Sequence, residues 1–289
     1  MTESYYGRPI LKEPTWTWEI PCYFFLGGMA GAAAPFALAC ELRGDDALAR
    51  RAWLVAMTGA AASPVLLISD LGRPARFHHM LRVFKPTSPM SVGSWVLASS
   101  STAIALAVAR NVFGLFPRLG RLAGATAILG PALSTYSAVL ISDTAVPVWH
   151  EARRELPWVF AAGSAMSAGS AIALAGGGAR AQRLALAGAA GELAATTMME
   201  RRLGDLGEPY NQGAAGRFAR AGKALTAAGA AVMATAGRRP GRAAVGAGLM
   251  LAGAFATRWS VYKAGFQSAA DPKYVIGPQR ARVDAAARA

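Results

Sequence analysis

The sequence has 289 residues, of which 54% are hydrophobic and only 16% are charged, and its mean hydropathy is +0.30. Charged residues alone approach a quarter of an ordinary soluble domain, so the composition excludes that class and predicts an integral membrane protein. A net charge of +14 would suggest nucleic-acid binding in a soluble protein, but here the basic residues lie between hydrophobic segments, where they contact lipid headgroups. We therefore predict an all-α bundle in a lipid bilayer, with no nucleic-acid partner.

About eight hydrophobic segments follow one another along the chain, most of them close to the ~20 residues that a helix needs to cross a bilayer core. They predict eight transmembrane helices, at Glu19–Glu41, Arg51–Asp70, Val92–Ala109, Leu122–Ser142, Pro157–Ala175, Leu184–Met199, Phe218–Ala236 and Ala243–Tyr262. The chain then divides into an N-terminal extramembrane segment (residues 1–18), a transmembrane domain (residues 19–262) and a C-terminal extramembrane tail (residues 263–289).

The loops differ in length on the two sides of the predicted membrane. Residues 71–91, 143–156 and 200–217 lie on one side, the long-loop side, together with both termini. The loops of the opposite, tight-loop side are short and rich in arginine. Because basic loops stay in the cytoplasm, we expect a multi-pass protein of the bacterial cytoplasmic membrane with its termini on the outer side. The arginines concerned are Arg43, Arg50, Arg51, Arg110, Arg118, Arg121, Arg180, Arg183, Arg238, Arg239 and Arg242.

Small residues recur within the predicted helices, as in the stretches Gly27–Gly31 and Gly163–Gly169. Such residues let helix backbones approach closely in lipid. Packing within one bundle is the simpler interpretation, and dimerisation is the alternative.

The cysteines and histidines argue against a metal cofactor held by this chain. Cys22 and Cys40 lie in the same predicted helix, roughly 27 Å apart at 1.5 Å per residue, too far for a disulfide. The three histidines, His78, His79 and His150, all fall in predicted loops, whereas membrane cytochromes of type b present histidine pairs from within helices. We therefore expect neither haem nor an iron–sulfur cluster in this chain.

Several polar side chains lie at the long-loop ends of the predicted helices. Glu19 and Tyr23 are four residues apart, so they share one helical face. Asp70 ends the second span close to Arg73, and Tyr136 lies about two turns from the end of the fourth. Ionisable groups at such positions are costly in a membrane and are candidate functional residues. The alternatives are a helix-end ion pair of Asp70 with Arg73 and an interfacial belt of aromatic residues.

Glu192 differs from these residues because it lies near the middle of the sixth span, with no charged neighbour nearby in its own helix. A carboxyl group at that depth is expensive to ionise without a partner. Two interpretations stay open: a protonated group hydrogen-bonded to a neighbouring helix, and a relay that moves protons across the membrane.

Three stretches of the sequence resemble the NrfD/PsrC family, the integral-membrane subunits of polysulfide-reductase-like molybdopterin oxidoreductase complexes. They are Trp16–Gly31, Asp70–Phe77 and Pro86–Trp95, and Pro147–Glu151 is a weaker match. The resemblance is strong over the first 160 residues and rests mainly on hydropathy and span count afterwards.

The resemblance implies an eight-helix electron-transfer subunit without metal cofactors of its own. Such a subunit exchanges electrons between a membrane quinone, either menaquinone or ubiquinone, and a four-cluster ferredoxin-like iron–sulfur subunit that connects to a molybdopterin catalytic subunit. By motif position, the quinone-binding residues would be Glu19, Tyr23, Asp70 and Tyr136. The chain departs from the polysulfide-reductase branch at Glu19 and Tyr23, where that branch has Asn and His.

The chemistry of a quinone suits these side chains without the resemblance. A tyrosine hydroxyl can hydrogen-bond a ring carbonyl, and a carboxylate can take or supply the proton. We expect Tyr23 or Tyr136 to hold the ring oxygen, Glu19 or Asp70 to exchange the proton, and Arg73 to tune that carboxylate. Residues 271–280 and the loop around Lys85 are candidates for docking the iron–sulfur subunit.

Two functions of other classes remain possible on the sequence alone. A proton channel or transporter would use Glu192 and the glycines of the helices. A purely structural membrane anchor would tether a soluble enzyme without touching quinone.

Overall fold

The computed structural model describes residues 9–237 and 239–288. Residues 1–8 of the predicted N-terminal segment, and Arg238 of a tight loop, lie outside this range. The described chain is all-helical, which confirms the predicted fold class. Its α-helices are α1 (Glu19–Glu41), α2 (Asp46–Ser69), α3 (Pro89–Phe113), α4 (Pro117–Ala125), α5 (Gly130–Ser142), α6 (Pro147–Glu151), α7 (Leu156–Leu174), α8 (Gly178–Leu203), α9 (Gly213–Ala234), α10 (Pro240–Ala270) and α11 (Lys273–Arg288).

Six helical segments of the described chain are long and apolar enough to span a membrane. They are α1, α2, α3, the combined segment Pro117–Ser142, α7 and α10. The two other predicted spans lie within α8 and α9, which are as long but are interrupted by charged side chains: Glu192 in α8, and Arg217, Arg220 and Lys223 in α9. A bundle of eight long helical segments results.

The helix ends follow local sequence signals. The Asp45 carboxylate accepts a hydrogen bond from the Leu48 amide at 3.2 Å and begins α2. The Ser88 hydroxyl does the same for α3, where Pro89 occupies the first helical position and needs no backbone N–H partner. That helix ends at Gly114, whose φ of 69° is a left-handed conformation available to glycine at little cost.

Glycines bring neighbouring helices into backbone contact. A β-carbon at Gly229 of α9 would lie 2.8 Å from the Gly246 carbonyl oxygen of α10, and one at Gly169 of α7 would meet the backbone of Ala185 in α8. The pairings α7–α8 and α9–α10 are therefore antiparallel and close. Packing within the bundle, as predicted for the small residues, is confirmed, and dimerisation stays untested.

Polar side chains tie the loops together on both sides of the bundle. On the tight-loop side, the Glu41 carboxylate accepts hydrogen bonds from Trp53 Nε1 at 2.5 Å, from Arg110 at 2.7 Å and from Asn111 at 2.8 Å. Arg110, one of the tight-loop arginines, thus contributes to the fold.

On the long-loop side, α10 continues to Ala270, past the predicted domain boundary at residue 262. The tail that follows is helical, as α11, and its start is fixed to the loop between α8 and α9. Glu208 accepts from Lys273 at 2.7 Å and from the Tyr274 hydroxyl at 2.8 Å. These hydrogen bonds hold the pKa of the Glu208 carboxyl below its usual range.

Candidate functional site

A cavity of about 250 Å³ lies at the long-loop end of the bundle, between the start of α1, the end of α2, the start of α3 and the end of α5. Its lining includes Tyr23, Asp70 and Tyr136. Three residues predicted from separate helices therefore meet at one place. The wall around them is largely apolar, with Ile20 and Phe24 from α1 among its members.

The Tyr136 ring lies directly against the backbone of Gly93 in α3. A β-carbon at Gly93 would overlap the ring, so only glycine fits under it. Neither the Tyr136 hydroxyl nor the Tyr23 hydroxyl has a hydrogen-bond partner within residues 9–237 and 239–288. Both hydroxyls are thus available to a ligand in the cavity.

Asp70 is held by the segment that precedes α1. Its carboxylate accepts from the Thr17 amide at 3.1 Å and from the Thr17 hydroxyl at 2.7 Å. The same hydroxyl is hydrogen-bonded to the Glu19 carboxylate. Because a hydroxyl carries one proton, it can serve only one of the two carboxylates at a time. Glu19, which was predicted to bind the quinone with the other three residues, does not line the cavity. It is connected to the cavity through Thr17.

The structure does not bring Arg73 to Asp70. Arg73 is exposed at the start of the short 3₁₀ helix Pro74–Leu81, and the described residues hold no ion pair between the two. Asp70 is instead hydrogen-bonded to Thr17, a residue that sequence reasoning missed. A threonine two residues before Glu19 carries no signal of a contact with a residue 53 positions away.

The residues just before α1 also form part of the cavity wall. The Tyr262 hydroxyl donates to the Trp16 carbonyl oxygen at 2.5 Å, and the Trp16 ring stacks on Trp149 with centroids 5.6 Å apart. Trp16 itself lines the cavity. Residues from α6 and α10 thereby fix the chain that carries Thr17.

Glu192 lies in the other half of the bundle, facing an arginine that sequence reasoning missed. Arg258 of α10 and Glu192 are 3.7 Å apart, and each side chain is 2% exposed. Arg258 donates to the Phe160 carbonyl oxygen at 2.8 Å, and its guanidinium lies 4.0 Å from the centroid of the Phe160 ring. An arginine in the interior of the eighth predicted span was the signal that could have found it, because a buried charge at that depth requires an opposite one.

The buried pair has polar atoms left over. Both Glu192 oxygens, and Nε and Nη1 of Arg258, are buried without a hydrogen-bond partner in the described structure. Gly163 of α7 makes room for the pair, since a β-carbon there would lie 2.9 Å from Arg258 Nη2 and would also collide with Glu192. Glu192 thus faces a guanidinium across the bundle, and both interpretations drawn from the sequence, a protonated hydrogen-bonded group and a proton relay, stay predictions.

Among the described residues, no group of three or more His, Cys, Asp and Glu side chains could hold a metal ion. The polar groups that line the cavity include two tyrosine hydroxyls and the Asp70 carboxylate, which can form hydrogen bonds and exchange protons.

Comparison with known proteins adds a family and a relative. The sequence profile of the NrfD_2 family, described as polysulfide reductase, matches residues 1–271. The C subunit of tetrathionate reductase from Salmonella typhimurium is 32% identical over 161 residues, which are 52% of this chain and 47% of that protein. The chain thus matches about half the length of this relative. The profile extends the similarity well beyond the first 160 residues, where the sequence motifs were strongest.

Proposed function

This chain belongs to the NrfD-type polysulfide reductase family, and from that premise we propose that it is the membrane-anchoring, quinone-binding electron-transfer subunit of a respiratory oxidoreductase complex. It exchanges electrons between menaquinone or ubiquinone and a four-cluster ferredoxin-like iron–sulfur subunit, which connects to a molybdopterin catalytic subunit. Its place is the bacterial cytoplasmic membrane, with the long-loop side facing out. The loop around Lys85 and residues 271–280 on that side are the proposed contacts for the iron–sulfur subunit.

The cavity with Tyr23, Asp70 and Tyr136 is the observation that carries this proposal. A quinone carries two electrons and two protons when it is reduced to the quinol. Its ring is flat, with apolar faces and two polar oxygens. The cavity suits that shape: Gly93 makes room for the Tyr136 ring, apolar side chains form the walls, and polar groups converge from α1, α2 and α5.

Each polar residue has a distinct task in this proposal. The Tyr136 hydroxyl donates a hydrogen bond to a ring carbonyl and orients the ring, while buried Tyr23 lines the same cavity. Asp70 accepts or supplies the proton at the other end. Thr17 then passes the proton between Asp70 and Glu19, which is only half-buried and reaches the long-loop surface.

Replacing Tyr136 by Phe in the assembled complex tests the proposal, because this substitution removes a hydroxyl and keeps the ring. We expect quinone-linked turnover to fall by up to about tenfold, the value of roughly one hydrogen bond, while dye-linked turnover of the catalytic subunit is unchanged. The matched control is Tyr210→Phe, which removes a buried hydroxyl without a hydrogen-bond partner in the other half of the bundle.

The outcomes separate the proposed function from its alternatives. Equal loss of both activities in Tyr136→Phe indicates an assembly defect and contradicts a specific role for the hydroxyl. If a quinone-site inhibitor does not bind the wild-type complex, the chain is a structural anchor. Ion flux without any electron donor would instead identify a channel or transporter.

A second candidate role is proton transfer through Glu192, and the unpartnered atoms of its pair with Arg258 favour it. Thr196 and Glu200 follow Glu192 at four-residue steps on the same face of α8, so polar groups extend from the pair towards the long-loop surface. In proteoliposomes, the double variant Glu192→Gln/Arg258→Met, which leaves no unpaired charge, should abolish proton translocation and keep electron transfer. Translocation that survives in this variant, or a wild-type complex that moves no protons, leaves Glu192 with the structural role alone.

A further inference from the structure

A second and larger cavity, of about 580 Å³, runs along the bundle between α3 and the segment formed by α4 and α5. We call it the α3–α5 groove. Along α3 it extends from Trp95 to Leu106, a length of about 16 Å at 1.5 Å per residue, or roughly half of a bilayer core. Gly31 and Ala34 of α1 form part of its base, and Trp53 of α2 also lines it.

Close packing on the far side of α5 leaves this space open. A β-carbon at Gly31 would lie 2.6 Å from the Gly130 carbonyl oxygen, and one at Gly130 would lie 2.7 Å from Pro35 Cδ. Helix α5 is therefore pressed against α1 and leaves α3 uncovered along several turns. Trp53, which also lines the groove, donates a hydrogen bond to the Glu41 carboxylate.

The groove presents an apolar surface although it contains hydroxyl groups. Ser99, Thr102 and Thr126 donate to carbonyl oxygens of their own helical segments, at 2.7, 2.8 and 2.7 Å. The hydroxyl protons of these three side chains are used locally. Ser100 also lines the groove and adds one further hydroxyl to a lining that is otherwise mostly hydrocarbon. A polar ligand is thereby disfavoured and a hydrocarbon chain is favoured.

The groove and the cavity with Tyr136 share no lining residue, but neighbouring residues of two helices line them. On α3, Ser94 lines that cavity and Trp95 lines the groove. On α5, Tyr136 lines the cavity, and Leu133, one turn away, lines the groove. A ring beside Tyr136 therefore has the groove next to it, in the direction of the bilayer centre.

We propose that the α3–α5 groove binds the isoprenoid tail of the quinone whose ring lies in the cavity with Tyr136. The inference rests on the proposed function and adds to it a site for the chain that every membrane quinone carries. A tail held by protein contributes apolar contacts along its length, so binding should depend on the number of isoprene units. A tail that runs freely into lipid would show no such dependence on the residues of the groove.

Filling the groove tests this inference in the full complex. Ala103 of α3 lines the groove, and Ala103→Trp places a large side chain in the space. In liposomes, KM for a quinol with a long isoprenoid tail should rise by about tenfold, because several apolar contacts are lost. For a quinol with one isoprene unit, KM should change by less than about twofold. Because wild type and variant are compared for each quinol separately, membrane partitioning cancels.

The control is Ala227→Trp, the same substitution at an exposed position of α9, and Ala103→Leu is used if the Trp variant does not assemble. An unchanged KM for the long-tailed quinol overturns the inference and leaves the groove to lipid acyl chains. An equal rise for both quinols also overturns it, since the substitution then disturbs the ring cavity. The short-tailed quinol tests Tyr136→Phe independently, so the ring site can stand while the tail site fails.

Discussion

The two halves of the bundle surround their carboxylates in opposite ways. Asp70 lies at the long-loop surface beside a cavity, and its contacts are hydrogen bonds from Thr17. Glu192 lies in the interior with Arg258 as its charge partner, and neither of its oxygens has a hydrogen bond in the described structure. A carboxylate near water can exchange protons at little cost, whereas a buried one depends on its partner.

This difference separates a carboxylate that borders a cavity from one that faces a buried charge. Removing one member of a buried ion pair leaves an uncompensated charge in a low-dielectric interior, which is strongly destabilising. Removing a hydrogen bond at a surface cavity changes the local geometry and little else. Substitutions in the two halves should therefore be read out by different measurements, namely stability for Arg258 and quinone-linked turnover for the cavity.

Arg258→Met should have the largest effect on the folded protein. It leaves the Glu192 charge without a partner, and we expect a loss of about 3–5 kcal/mol in the free energy of unfolding. The measurement is the amount of monodisperse complex extracted from membranes and its thermal unfolding temperature. The double variant Glu192→Met/Arg258→Met should recover much of the loss, because no unpaired charge remains. A single variant as stable as the wild type would contradict the importance of the pair.

Gly93→Ala should act on the other half and on turnover. Its β-carbon would overlap the Tyr136 ring, so the ring must shift into the cavity. We expect quinone-linked turnover to fall by about tenfold or more, since reacting groups misplaced by about 1 Å can cost as much as 100-fold. The control is Gly248→Ala in α10, where a β-carbon would meet no atom within 4 Å. If the two variants behaved alike, the position of Tyr136 would not matter for turnover.

The same two halves show what could be predicted from the sequence. All eight predicted segments coincide with long helices, and six of these are apolar enough to span a membrane, because burial of apolar side chains in lipid dominates their placement. Their ends were less predictable, since α8 extends to Leu203 and α10 to Ala270, past the apolar core of each segment. Tyr23, Asp70 and Tyr136 could be placed at one membrane surface from their depth alone, and the structure brings them into one cavity.

The residues that sequence reasoning missed are partners across the bundle. Arg258 contacts Glu192 although it lies 66 residues further along the chain. Position 93 requires glycine because a β-carbon there would overlap the Tyr136 ring of α5. Hydropathy and spacing report depth along one helix but not which face meets which neighbour. Nearness in sequence was also misleading at Asp70, where Arg73 is three residues away but Thr17 makes the contact.

The smallest effects are expected at Thr17, which contacts Asp70 in the structure, and at Arg73, which was predicted to do so. Thr17→Val removes the hydroxyl between Asp70 and Glu19, and we expect quinone-linked turnover to fall by about threefold to tenfold, the value of one hydrogen bond. Arg73→Ala should change turnover by less than about twofold, because an exposed arginine contributes little even where it is paired. Both variants should retain dye-linked activity. If Arg73→Ala instead reduced quinone-linked turnover more than Thr17→Val, Asp70 would be controlled by the charge of the following loop, and the proton path through Thr17 to Glu19 would be wrong.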